Sequence, residues 1–80
     1  MILEPGMLVK SKAGRDRDHI YVVIRTENEY AYLADGTSRP LRRMKRKNGR
    51  HLQPILKVRA AGPLSDETVR EEIRSYIQED

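Results

Sequence analysis

The sequence predicts a mostly β domain, five short strands bent into a small barrel and followed by one C-terminal α-helix. Three observations predict it. Eighty residues allow a single domain with a modest core. Residues 1–58 hold short apolar runs separated by Gly, Asp and Asn turn signals. Residues 65–80 switch to helical periodicity after a 59–64 linker that contains Gly62-Pro63.

The elements follow in order. Gly6 opens Met7-Leu8-Val9-Lys10-Ser11-Lys12, a first strand that Gly14 and the charged segment Arg15-Asp16-Arg17-Asp18 interrupt. His19-Ile20-Tyr21-Val22-Val23-Ile24-Arg25 is β-branched and aromatic, the clearest strand in the chain. Glu27-Asn28-Glu29 supplies a turn, and Tyr30-Ala31-Tyr32-Leu33-Ala34 a third strand. Asp35-Gly36 reads as a type I′ hairpin turn leading into a fourth strand at Ser38–Arg42. Asn48-Gly49 precedes a fifth, at His51–Leu56. Strands this short make no large flat sheet, and closing them removes the edges.

For the helix, Ser65 is the N-cap, with Asp66 and Glu67 in the first turn where the dipole favours negative charge. Leu64 and Val69 are spaced as a hydrophobic staple. Val69, Ile73, Tyr76 and Ile77 form one apolar stripe that must pack on the barrel or on a partner.

Charge is divided along the chain. Residues 1–64 carry 14 Lys and Arg against 6 Asp and Glu, a net of +8, whereas residues 65–80 carry 2 against 6, a net of −4. A basic body points to a polyanion partner, and the acidic helix to a shield that lies over it in cis. The charge is concentrated in residues 39–50, where seven of twelve residues are basic and none is acidic. They are Arg39, Arg42, Arg43, Lys45, Arg46, Lys47 and Arg50. Such a run repels itself unless salt or an anion neutralises it, and phosphate backbones do so by counterion release and bidentate Arg contacts. A nuclear-localisation signal has the same composition. Lys10, Lys12, Arg15 and Arg17 around Gly14 form a second basic group, diluted by Asp16 and Asp18. In a barrel the two groups are expected on one side.

Tyr21, Tyr30, Tyr32 and Tyr76 are the only aromatics. Tyr21 and Tyr32 are candidates for base stacking, but strand tyrosines pack more often than they stack. Structured or double-stranded RNA is therefore the expected ligand, ahead of a stacked single strand. No catalysis is expected. His19 and His51 are the only histidines, the glycines are scattered singly, and no serine stands in a nucleophile elbow. Asp16, Asp18 and His19 crowd together as metal ligands do, yet in a basic loop they read as ion-pair partners and a strand start, so no metal or cofactor is expected. Without Cys, disulfides and thiolate sites are excluded. Residues 1–6 lack signal-peptide character, and no apolar run approaches the roughly 20 residues of a membrane span. A soluble, cytoplasmic protein is the expectation.

Gly6-Met7-Leu8-Val9-Lys10-Ser11-Lys12-Ala13-Gly14-Arg15-Asp16-Arg17, running into Ile20-Tyr21-Val22-Val23, resembles a KOW motif. With Tyr32-Leu33-Ala34-Asp35-Gly36, the basic segment and His51-Leu52-Gln53-Pro54, nearly the whole chain is similar to small bacterial KOW-domain RNA-binding proteins. Those in turn resemble a large-subunit ribosomal protein of archaea and eukaryotes. The resemblance implies an SH3-like barrel that binds RNA, ribosomal RNA included, in translation. Gly14 would be the motif's turn glycine, and Lys12, Arg15 and Arg17 its loop contacts. Asp18 stands where the motif commonly has a second glycine, which shifts the expected binding toward residues 39–50. Two other functions fit the same residues: a protein-interaction adaptor that uses the barrel and helix stripe, and DNA binding of the transcription-elongation KOW type.

Overall fold

A computed structural model describes residues 2–60 and 62–78, the side chains of 57–59 excepted. The strands are β1 (Met7–Ser11), β2 (Ile20–Glu27), β3 (Tyr30–Ala34), β4 (Lys45–Asn48) and β5 (Leu52–Arg59), and the helix α1 spans Asp66–Gln78. All five strands form one antiparallel sheet in the order β4-β3-β2-β1-β5. Among the described residues β4 and β5 do not pair with each other, so the sheet is open rather than closed. Pro54 is tolerated because β5 is an edge strand that does not need every N–H in a ladder.

Both faces of the sheet are buried. Met7, Val9, Tyr21, Val23, Ala31, Leu33 and Leu52 form one core on the inner face, and Leu8, Ile20, Val22 and Val69 a second on the outer face. This is why Ile20–Ile24 reads as an unbroken apolar run instead of an alternating one. Helix α1 supplies the outer cover. Val69 is fully buried, and Ile73, Tyr76 and Leu64 pack beside it. Ile77 does not join them; it lies at the end of the stripe and remains 59% exposed. Ser65 caps the helix as expected. Its hydroxyl accepts from Thr68 N–H at 3.2 Å, and Thr68 Oγ1 accepts from Ser65 N–H at 2.9 Å.

Three expectations need correction. The fourth strand is Lys45–Asn48, not Ser38–Arg42. The Asp35 carboxylate accepts from the N–H groups of Thr37 and Arg39, and this widens the expected two-residue turn into a loop. Pro40, which has no N–H to give a ladder, then leads into a 3-10 turn at Leu41–Arg43. Residues 49–51 form a second 3-10 turn, so β5 begins at Leu52 and runs through Arg59, into the expected linker. Ala61 of that linker and the last two positions of the expected helix, 79 and 80, lie outside the described residues.

Candidate nucleic-acid interface

The loop between β1 and β2 is built by its own backbone. Gly14 takes φ +86° at its entry and Asp18 φ +72° at its exit. Asp18 N–H donates to Ser11 O at 2.8 Å, and His19 N–H to Asp16 O at 2.9 Å. Glycine adopts positive φ at no steric cost, whereas a side chain at Asp18 pays for it. Asp18→Gly is therefore expected to stabilise the domain by about 0.5–1 kcal/mol. A urea titration checks this by a higher midpoint at unchanged slope.

Asp16 is the centre of this loop. Its Oδ1 accepts from Lys47 Nζ at 2.7 Å and from Ser11 Oγ at 2.9 Å, and its Oδ2 from the Tyr21 hydroxyl at 2.8 Å. Lys45 Nζ lies 3.7 Å from Oδ2. Lys47 Nζ also donates to Ala13 O at 2.9 Å. Burial alone would push the Asp16 carboxyl up. The hydrogen bonds from Lys47, Tyr21 and Ser11 and the charge on Lys45 outweigh it and hold the group well below the usual carboxylate range. Burial, then the Asp16 carboxylate, hold the Tyr21 phenol above its ordinary value.

Through this one carboxylate, the Gly14 loop and β4 of the 39–50 segment are held side by side. Lys47, only 12% exposed, is spent in that contact. Lys10, Arg39 and Lys45 are half-buried. Lys12, Arg15, Arg17, Arg42, Arg43, Arg46 and Arg50 are exposed, and among the described residues none of the seven has an ion-pair partner.

A second carboxylate organises the other end. Asp35 Oδ2 shares a 2.7 Å hydrogen bond with His19 Nε2 and accepts from Ser38 Oγ at 2.9 Å. Burial raises this carboxyl, but the Arg39 and Thr37 N–H groups, then His19 and Ser38, bring it well below its usual range. Asp16 and His19 thus turn to different partners. Among the described residues, no group of three or more His, Asp or Glu side chains is placed to hold a metal ion.

Helix α1 is tied to the basic segment by backbone rather than by charge pairs. Asp66 Oδ1 accepts from Leu41 N–H at 2.8 Å, and Arg70 Nη1 donates to Gly36 O at 2.7 Å. Among the described residues no helix carboxylate forms an ion pair with residues 39–50. No protein-family model matches the chain, and no curated protein does.

Two features of this surface were not expected. One is the partner of Asp16, which the sequence does not identify because Lys47 lies 31 residues away. The other is a pair of cation–π contacts on the sheet face opposite Lys45 and Lys47. Arg25 stacks on Tyr32, with 3.8 Å from guanidinium carbon to ring centroid, and Arg46 stacks on Tyr30 at 4.0 Å. The i, i+2 spacing of the tyrosines was visible in the sequence, but their arginine partners come from β2 and β4.

Proposed function

We propose that this chain is an RNA-binding module that neutralises backbone phosphates with the Gly14 loop and the 39–50 segment, as an SH3-like domain of the KOW type would. One observation carries the reading. The Asp16–Lys47 contact joins the loop to β4, and among the described residues seven exposed cations of the two segments have no ion-pair partner. Cations held on a folded surface suit an array of phosphates, most of all in residues 39–50, where no carboxylate stands between them. The pairing of β1 with β5 and the left-handed Asp18, a conformation natural to glycine, support the KOW resemblance.

The test is fluorescence anisotropy with an RNA hairpin and a duplex DNA of equal length, titrated with salt. Contact with about six phosphates predicts a log–log slope near −4 to −5. Changing Arg15, Arg42, Arg43 and Arg50 to Gln is expected to remove about 3 from that slope and to weaken RNA binding about 100-fold near 0.15 M salt. Preference for the DNA would favour the transcription-elongation reading. A flat salt dependence and no nucleic-acid affinity would leave the adaptor reading. That second reading rests on a groove of about 450 Å³ between α1 and the strand ends, floored by Ile20, Ile73 and the exposed Ile77.

A further inference from the structure

Tyr30 and Tyr32 stand two residues apart on β3, so their rings share the face opposite the buried Ala31 and Leu33. That face is the one α1 covers over Ile20 and Val22. Val22 pairs with Ala34, and two residues before Ala34 the face continues onto Tyr32. Both rings are half-buried rather than enclosed. A β-bulge between Val23 and Arg25 sets Arg25 opposite Tyr32. Without the extra residue, Ile24 would face Tyr32 and Arg25 would point inward with Val23. From the other side, β4 places Arg46 opposite Tyr32 and within reach of Tyr30. Two guanidinium groups thus stand over two tyrosine rings. Glu27 accepts the Tyr32 hydroxyl at 3.1 Å and lies 4.0 Å from Arg25, which steadies that pair and leaves the patch one net positive charge. Arg25 remains 53% exposed, so the outer side of its stack is open.

We infer that this Tyr–Arg face is a stacking platform for unpaired RNA bases that adjoin a helical segment held by the phosphate-binding surface. The inference rests on the RNA-binding reading and narrows its ligand to a junction of paired and unpaired RNA. The chemistry selects this occupant. The open side of a guanidinium held over an aromatic ring accepts a nucleobase face, while its N–H edge receives a phosphate. A cationic peptide side chain is disfavoured, because the ring faces it would seek are already covered by positive charge. Arg46 comes from β4 of the basic segment, so the platform adjoins that segment along the β4 edge of the sheet.

The experiment compares a blunt RNA helix, the same helix with a four-nucleotide 3′ extension, and an unpaired eight-nucleotide RNA. A 2-aminopurine in the unpaired part reports stacking. For the wild-type chain the extension is expected to raise affinity about tenfold and to quench the 2-aminopurine. Tyr30→Leu with Tyr32→Leu, and separately Arg25→Lys, preserve charge and leave blunt-helix affinity unchanged while abolishing both effects. Tyr32→Phe keeps the ring and retains them. Thermal melts of each variant confirm that it is folded. An extension that adds no affinity, or an increment that survives in Arg25→Lys and the double variant, overturns the platform. A blunt helix that fails to bind, while the unpaired RNA binds and depends on Arg25, overturns the phosphate reading and leaves the platform standing.

Discussion

Replacing Asp16 with alanine is expected to destabilise the domain by about 3 kcal/mol, measured as a lower midpoint in urea. The carboxylate receives Lys47, Tyr21 and Ser11 and is only 13% exposed. Its removal leaves the Lys47 ammonium, at 12% exposure, with the Ala13 carbonyl but no counter-charge, and the buried Tyr21 hydroxyl without its acceptor. Unpaired buried groups cost far more than a lost surface ion pair. A domain of this size is only marginally stable, so the loss is a large part of the total. The same carboxylate makes stability depend on pH. Its folded-state pKa lies below the unfolded value, so the folded chain binds fewer protons than the unfolded one. The stabilisation is complete above about pH 5 and fades as pH falls through and below the unfolded value of about 3.9. Asp35 acts in the same direction. Asp16→Asn should flatten the acid limb of the stability curve between about pH 5 and 2, and an unchanged limb would remove Asp16 from this role.

Gly36→Ala is expected to cost about 3 kcal/mol, or roughly 10–20 °C in melting temperature. Gly36 has φ +80°, and a Cβ there would stand 2.5 Å from Asp66 O and 2.6 Å from Arg70 Cγ. Neither can yield without loosening the bonds from Leu41 to Asp66 and from Arg70 to Gly36 O. Those bonds seat the start of α1 on the loop that leads into the basic segment. Loss of helical signal in far-UV circular dichroism should accompany the drop in stability. Gly62→Ala is the control. Gly62 has φ +75° but open space around its Cβ position, so only the backbone strain of about 1 kcal/mol is expected. Equal losses at the two sites would show that close approach of the helix does not set the cost at Gly36.

The legible parts of this fold were those whose cause is local. β2 announced itself by β-branched and aromatic residues, β3 by its place between the turn signals at Asn28 and Asp35-Gly36, and α1 by its Ser65 cap and apolar stripe. The turns at Gly14 and at Asn28 were legible from residues that tolerate left-handed backbone, which both positions adopt. β4 was not legible, because Lys45-Arg46-Lys47-Asn48 carries none of the side chains that favour a strand. It is a strand because β3 offers it a ladder, and Asp35 and Pro40 delay its start past the 3-10 turn.

The candidate site divides in the same way. Composition alone located the cations, since seven basic residues in twelve need no partner to be noticed. Which of them are free was decided only when β4 came to lie beside the Gly14 loop and Asp16 took up Lys47. The arginines that cover the tyrosines come from separate strands, and one is aimed by a bulge that leaves no mark in the sequence. Secondary-structure propensity and net charge are properties of neighbouring residues, so the sequence by itself determined the β-rich class, the helix and the basic character of the chain. Pairing of charges and stacking of rings act across a few ångströms between residues distant in the chain, so only the tertiary structure decided which cations and which aromatic faces are open to a ligand.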